Sequence, residues 1–189
     1  MKKIIPWLLL SLHFAMANGL DEAKQACDNS DAEGCYRLGQ LYAVGHGVEK
    51  DFRHTFDGYQ KSCKSGDIFS CYEVGEAYYY GNGVTRNLQK AAATWQQACE
   101  QGETLSCYQL ADLYESGQGV KQDFKKAFAI YKRDCDNGGG FSCHGLGKLY
   151  EQGKGVKQNI IKAQEYFTLA CELGILDGCD DAQKLDAEK

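Results

Sequence analysis

Residues 107–123 read CYQLADLYESGQGVKQD, and residues 143–159 repeat the pattern as CHGLGKLYEQGKGVKQN. The second stretch begins 36 residues after the first, and the same motif aligns without a gap from Cys35 and from Cys71. A period of about 20 to 50 residues is typical of stacked supersecondary units, each of which contacts its neighbours. The sequence therefore predicts a repeat protein, and its other motifs are interpreted within that period.

Two features of the motif predict a pair of helices in each repeat. Gly117 and Gly119 allow the chain to leave one helix through a left-handed residue and to turn back. The side chain of Asp123 can accept the free backbone N–H groups that open the next helix. Each repeat is therefore interpreted as helix-turn-helix. The equivalent residues are Gly45, Gly47 and Asp51; Gly81, Gly83 and Asn87; Gly153, Gly155 and Asn159.

Periodic apolar residues predict the buried faces of both helices. In the first helix, Cys107, Leu110, Leu113 and Tyr114 have the i, i+3, i+6, i+7 spacing of one helical face, and most of these types recur in each repeat. In the second helix, a small residue alternates with an aromatic one, which favours interlocking core packing. We expect this second stripe to be buried: Phe52, Thr55, Tyr59; Leu88, Ala91, Trp95; Phe124, Ala127, Tyr131; Ile160, Ala163, Phe167.

The ten cysteines follow the same period in five pairs: Cys27 and Cys35, Cys63 and Cys71, Cys99 and Cys107, Cys135 and Cys143, Cys171 and Cys179. Eight residues of straight helix span about 12 Å, whereas a disulfide needs Cα atoms about 4.4 to 6.8 Å apart. The chain must therefore turn between bonded partners, and Gly66 and its equivalents mark where a second helix ends. We expect each bridge to join that end to the next first helix, although a bridge between Cys35 and Cys63 stays open.

The cysteine spacing does not suit a metal site. The cysteine ligands of zinc sites are typically about two to four residues apart in sequence. Outside the N-terminal segment the only histidines are His46, His54 and His144. We therefore predict disulfides and no bound metal.

The N-terminus has the three parts of a secretory signal peptide. Lys2 and Lys3 precede an apolar run over residues 4–14 and a small-residue cleavage box at 15–17. The mature chain is then expected to begin at Asn18, without a stable membrane anchor, and to be exported to the periplasm or the medium. Export agrees with the many cysteines, since disulfides persist in oxidising compartments.

The net charge of the chain argues against polyanionic partners. The formal net charge is −5, it becomes −7 without Lys2 and Lys3, and no basic patch remains. Nucleic acid and anionic lipid are therefore not expected as partners.

The domain organisation follows from the period. We predict a signal peptide at 1–17 and a solenoid at 18–189, with a half unit at 18–30, four full units at 31–174 and a polar capping helix at 175–189. The expected fold is all-α, a right-handed alpha-alpha superhelix of 36-residue repeats with one disulfide per repeat, present as a monomer.

The motif resembles a known repeat. Residues 110–114 (LADLY), 117–123 (GQGVKQD) and Lys126-Ala127 are similar to the Sel1-like repeat, a relative of the tetratricopeptide repeat. With its cysteine pairs, the chain resembles the Helicobacter cysteine-rich protein family over nearly its whole mature length. That resemblance implies an alpha-alpha superhelix, export, and bridges between cysteines eight residues apart. It also implies penicillin binding and slow beta-lactam hydrolysis, since members are named beta-lactamases.

The residues themselves give hydrolysis little support. The Ser-x-x-Lys, Ser-Asp-Asn and Lys-Thr-Gly elements of serine beta-lactamases are absent, as are Gly-x-Ser-x-Gly and His-Glu-x-x-His. His144 stands where earlier repeats have tyrosine, so we interpret it as a packed ring. No catalytic residue and no cofactor is predicted.

Residues that vary between repeats along one side of the first helix form the candidate binding site. This side reads Glu33, Arg37, Gln40, Val44 in the first unit and is mostly polar in all four. By resemblance to tetratricopeptide superhelices it lines a concave groove. The expected ligand is a peptide or protein, with a beta-lactam or a peptidoglycan-like small molecule as the alternative. The candidate residues are Arg37, Gln40, Glu73, Glu76, Tyr80, Gln109, Asp112 and Lys148.

Overall fold

The computed structural model of the protein describes residues 19–187. The predicted signal peptide at 1–17 lies outside the described residues. Regular structure within 19–187 is helical, with no strand, and none of these helices has the length and apolar content to cross a membrane. The helices are α1 (19–28), α2 (Ala32–Val44), α3 (Phe52–Lys64), α4 (Ile68–Tyr80), α5 (Leu88–Glu100), α6 (Thr104–Ser116), α7 (Phe124–Asp136), α8 (Gly140–Gln152), α9 (Ile160–Glu172) and α10 (Leu176–Ala187).

The chain divides into two compact units, one ending at Asn87 and the other beginning at Leu88. In the first unit α3 contacts both α2 and α4. In the second unit each helix from α5 to α10 contacts the next, and the first helices α6 and α8 also contact each other. The predicted all-α solenoid of helix-turn-helix repeats is confirmed.

The glycine pairs form the predicted turns. Gly117 and Gly119 have φ angles of 76° and 70°, in the left-handed region that favours glycine. The Gly117 N–H donates to the Leu113 carbonyl at 2.8 Å, which closes the end of α6. The Asp123 N–H then donates to the Tyr114 carbonyl at 2.8 Å, and the Asp123 carboxylate accepts from two N–H groups that open α7. Turn and cap thus satisfy backbone groups that would otherwise lose their partners at the helix ends.

The disulfides join neighbouring helices at each junction between repeats. Every cysteine is bonded to the one eight residues away, and none of the ten is free. The Cα–Cα distances run from 4.3 Å for Cys27–Cys35 to 4.8 Å for Cys63–Cys71. The alternative pairing of Cys35 with Cys63 is therefore not formed. Each bridge fixes the end of a second helix to the first turn of the next first helix.

The predicted second-helix stripe is buried at most but not all of its positions. Trp95, Tyr131 and Phe167 are almost inaccessible to solvent. The prediction was wrong for Phe52 and Ile160, which are 47% and 42% exposed. These two residues begin α3 and α9, and Leu88 and Phe124 at the same place in α5 and α7 are half-buried, so the first position of a second helix is at best partly covered.

The first helices begin with caps that the sequence pattern did not reveal. Asp31, Asp67 and Glu103 accept N–H groups in the first turns of α2, α4 and α6. Gly139 stands at the same place before α8 and makes no such bond. A Cβ on Gly139 would lie 2.6 Å from Cγ of Asp134, so the buried Asp134 carboxyl occupies the space of the missing cap.

Asp134 should make the stability of the protein depend on pH. Burial raises the pKa of its carboxyl, and the charge of Glu103 adds to the increase. A group whose pKa is higher in the folded chain stabilises the fold below its unfolded pKa and loses that contribution as pH rises through the folded pKa. Asp134→Asn should therefore raise the free energy of unfolding at pH 7 by about 1 kcal/mol, the scale of a buried polar group without a full partner.

Urea unfolding at pH 4 and pH 7 checks this prediction. The control is Asp136→Asn, since Asp136 lies on the same helix but is exposed. The Asp134 variant should lose less stability than the parent between the two pH values. Equal losses in parent and variant would contradict the assignment.

Candidate functional site

The residues predicted as a binding site all lie on first helices. Arg37 and Gln40 are on α2, and Glu73, Glu76 and Tyr80 are on α4, all in the first unit. In the second unit the site residues are Gln109 and Asp112 on α6 and Lys148 on α8. We call this side of the first helices the first-helix face of each unit and describe the two units separately.

In the first unit, Glu73 lies half-buried beside a pair of tyrosines. The rings of Tyr36 and Tyr59 are 5.5 Å apart between centroids. Burial raises the pKa of the Glu73 carboxyl. Burial raises the pKa of Tyr59 to about 12, and the charge of Glu73 contributes to that increase. Within residues 19–187 no cation forms an ion pair with Glu73, so the carboxylate is partly desolvated without compensation.

The rest of the first-unit face is more exposed. Tyr80 is 59% exposed, and the charge of Glu76 raises its pKa. The Tyr80 ring contacts that of Tyr79 edge-on at 4.8 Å between centroids. Arg37 and Gln40 are exposed on α2. With the exposed Glu33 on α2, this unit therefore presents three carboxylates, an exposed aromatic ring and one arginine.

In the second unit, the structure brings Asp112 and Lys148 into electrostatic contact. Burial raises the pKa of the Asp112 carboxyl, and Lys148 on the neighbouring helix opposes that increase. Asp112 also lies beside Tyr108, whose pKa is raised first by burial and then by the Asp112 charge. The Tyr108 ring is 6.0 Å from that of Tyr131. A half-buried carboxylate beside two tyrosines thus occurs in both units, although different repeat positions supply it.

Large apolar side chains near the start of the first helices extend the face. Phe69, Leu105 and Phe141 recur at intervals of 36 residues and are 65%, 38% and 45% exposed. The Phe141 ring lies 5.5 Å from that of Tyr108. The sequence spacing places them on the same side of the first helices as the predicted site, although the candidate residues named there did not include them. Their exposure adds apolar contact area next to the carboxylates.

His144 pairs with a carboxylate on another helix. His144 Nε2 lies 2.8 Å from Asp181 Oδ2, which ties α8 to α10, and its ring packs against Phe167. Across residues 19–187, no serine hydroxyl is hydrogen-bonded to this ring, and no group of histidine, cysteine and acidic side chains could hold a metal ion. The contacts of this pair therefore link α8 to α10, without the serine nucleophile of a serine hydrolase beside the ring in the described residues.

Comparison with known families decides the classification. The model of the Sel1 repeat matches residues 32–67, 68–103, 104–138 and 140–175, which is most of the chain. The chain belongs to the Sel1 repeat family. The matched repeats each contain one first helix and one second helix, so the first-helix face is built from one helix of every Sel1 repeat.

Solved structures agree with this classification. Cysteine-rich protein B of Helicobacter pylori is 32% identical, with a TM-score of 0.56, over 69% of this Sel1 protein and 94% of that chain. The predicted relationship to the cysteine-rich proteins is thereby confirmed. A Sel1 repeat protein from Oxalobacter formigenes has a TM-score of 0.76 at 22% identity, over 87% of this chain and 74% of that one.

A longer protein contains a similar stack. A protective antigen of uropathogenic Escherichia coli with an SLR fold has a TM-score of 0.81 at 25% identity, over 86% of this chain. This chain spans 35% of the length of that antigen. No curated protein matches the sequence.

Proposed function

We propose that this Sel1 repeat protein is a binding scaffold whose first-helix face holds basic segments of a partner protein. The observation that carries the proposal is the half-buried state of Glu73 and Asp112, whose carboxyl pKa values are both raised by burial. Binding of a cation is more favourable at a desolvated carboxylate than at one in open water. The carboxylate has already lost part of its hydration when the protein folds, so less water has to be removed on binding.

The aromatic surroundings suit the same kind of ligand. Arginine stacks on aromatic rings and pairs with carboxylates through two parallel hydrogen bonds. Glu73 and Asp112 each lie beside a tyrosine pair, and Phe69 and Phe141 are exposed on the same face. Arginine side chains flanked by apolar residues therefore fit this surface better than lysine-rich segments without them.

The family supports a binding role in general terms. Sel1 repeat proteins generally mediate protein–protein interactions. In a repeat stack the invariant residues maintain packing between neighbours, so residues that vary, such as Arg37, Glu73 and Gln109 at one repeat position, are free to determine the partner.

Export is the second part of the proposal. Five disulfides and no free cysteine suit an oxidising compartment. We propose that residues 1–17 direct the chain to the periplasm or the medium and are then removed. Penicillin binding and beta-lactam hydrolysis, implied by the cysteine-rich relatives, have no nucleophile beside His144 to support them, so the proposal does not extend to them.

Peptide selection tests the binding role. Oxidised protein of residues 18–189 is immobilised and exposed to a phage-displayed library of random dodecapeptides. We expect enrichment of peptides in which arginine adjoins an aromatic or aliphatic residue. The dissociation constant of a selected peptide should increase by at least about tenfold in the variant Glu73→Lys, Glu76→Lys, Asp112→Lys, because each reversal replaces attraction by repulsion.

The control separates local contact from long-range steering. Asp57, Glu165 and Glu172 are exposed acidic residues on second helices, and their reversal to lysine changes the net charge by the same amount. This control variant should bind the selected peptide within about threefold of the parent, because the reversed charges are not on the first-helix face and exposed charges are screened by salt. Equal losses in both variants, or selected peptides without basic residues, would refute the proposed surface.

A further inference from the structure

A pocket in the second unit is lined by two second helices and the first helix between them. Its volume is about 260 Å³, and it lies between α5, α6 and α7. Leu110, Tyr114 and Ile130 form its apolar part, and Cys99 reaches its wall. None of these residues belongs to the first-helix face.

The pocket carries two cations and one carboxylate. Lys126 and Arg133 line it together with Glu100. The Lys126 ammonium lies 5.2 Å from the centre of the Tyr114 ring, and Gln96 donates a hydrogen bond to Glu100 at 3.0 Å. The local balance therefore favours a small anion, in contrast to the negative net charge of the chain as a whole.

Arg133 also contacts the disulfide at the pocket wall. Its Nη2 lies 2.8 Å from Cys99 Sγ and 4.0 Å from Cys107 Sγ. A cation at this distance stabilises a thiolate on either sulfur, because thiolates form more readily beside positive charge. The two sulfurs are otherwise enclosed, since Cys99 and Cys107 are 4% and 2% exposed.

The arginine distinguishes this bridge from the next one. The residue 36 positions after Arg133 is Leu169, which packs on the apolar cluster that contains Cys135 and Cys143. The residue 36 positions before Arg133 is Gln97. Cys135–Cys143 therefore serves as a reference disulfide in the same unit. Glutamine, which the preceding repeat has at the equivalent position, is a suitable replacement for Arg133.

We propose that the pocket admits small thiols that carry a carboxylate and that Cys99–Cys107 is a site of thiol–disulfide exchange. The incoming thiolate attacks Cys99 Sγ from the pocket and forms a mixed disulfide with it. The bond between Cys99 and Cys107 breaks, and its electron pair stays on Cys107 as a thiolate facing Arg133. The step is a substitution at sulfur and requires no other oxidant or reductant.

Charge gives this site its selectivity. Arg133 and Lys126 attract the anionic thiol toward Cys99, and Arg133 then stabilises the departing thiolate. The pocket is large enough for a molecule of a few heavy atoms and too small for a folded protein domain. The inference is independent of the proposed first-helix binding face, because it concerns other residues and another ligand.

Limited reduction of the oxidised protein tests the proposal. The protein is exposed separately to mercaptoacetate, 2-mercaptoethanol and cysteamine, which are anionic, neutral and cationic. Free thiols are trapped with N-ethylmaleimide, and peptide mapping gives the opening rate of Cys99–Cys107 relative to Cys135–Cys143 in the same molecule. Because both disulfides meet the same thiol, this ratio does not depend on the intrinsic reactivity of that thiol. We expect the ratio to be about tenfold higher for mercaptoacetate than for cysteamine, the lower end of electrostatic steering effects.

Two variants identify the source of the effect. Arg133→Gln should weaken the dependence on thiol charge, because Lys126 is then the one cation left among the lining residues. The helical circular dichroism should stay unchanged, because Arg133 is exposed. Lys132→Gln removes the same charge from the same helix, but Lys132 pairs with Asp136 and does not line the pocket, so its ratio should match the parent. A ratio that is independent of thiol charge in the parent, or identical ratios in the two variants, would overturn the proposal.

Discussion

Replacing Phe167 by alanine should lower the free energy of unfolding by about 3 to 5 kcal/mol, the usual cost of truncating a buried aromatic side chain. Phe167 is 0% exposed, and its ring lies so close to α8 that a Cβ on Gly147 would be 2.6 Å from it. The small residue and the ring are therefore matched in shape. The cavity left by alanine cannot be filled without moving α8 toward α9.

A control on the same helix separates cavity formation from helix propensity. Ile161 is also on α9 but is 74% exposed, so Ile161→Ala should change stability by no more than about 0.5 kcal/mol. Urea unfolding of the oxidised proteins, followed by circular dichroism, gives both values. Similar losses in the two variants would mean that Phe167 is not the core residue described here.

Gly119→Ala should have the second largest effect, a destabilisation of about 3 kcal/mol from backbone strain and overpacking together. Gly119 has a φ of 70°, which an L side chain adopts only with strain. A Cβ there would also lie 2.6 Å from the carbonyl carbon of Leu88, at the start of the preceding second helix. Because the obstacle is backbone, a change of rotamer cannot relieve the clash.

Gly138→Ala isolates the strain from the clash. Gly138 has a φ of 91°, but no atom lies within 4 Å of the place where its Cβ would be. This variant should lose only about 1 kcal/mol, the cost of the left-handed conformation alone. Thermal unfolding of both variants measures the difference, and a Gly119 variant as stable as the Gly138 variant would exclude close packing of the hairpin on its neighbour.

Features that depend on local chain geometry could be predicted from the sequence. The glycine turns and the Asp123 cap join residues close in sequence, so one repeat motif was enough to place them. The bridges between cysteines eight residues apart were expected for the same reason, but the structure was needed to exclude Cys35–Cys63. The exposure of Phe52 could not be predicted, because helix periodicity says which face a residue occupies and not how far the neighbouring helix extends.

The repeat pattern of the sequence could not predict contacts between side chains of different repeats. Asp134 occupies the space beside Gly139 only because Gly139 lacks the carboxylate that earlier repeats have at its position. The sequence analysis had not identified those carboxylates as caps of the first helices. Arg133 reaches a disulfide 34 residues away in sequence, which a motif search does not examine. For the binding site, the sequence identified the varying residues on the first helices, whereas the burial of Glu73 and Asp112 required the structure.

The most direct test of the binding proposal is an NMR titration of isotope-labelled, oxidised protein with an arginine-containing peptide from the phage selection. Backbone amide shifts should change mainly in α2, α4, α6 and α8, with the largest changes near Glu73 and Asp112. Shifts concentrated in the second helices α3, α5, α7 and α9, with the amides of Glu73 and Asp112 unaffected, would contradict the account.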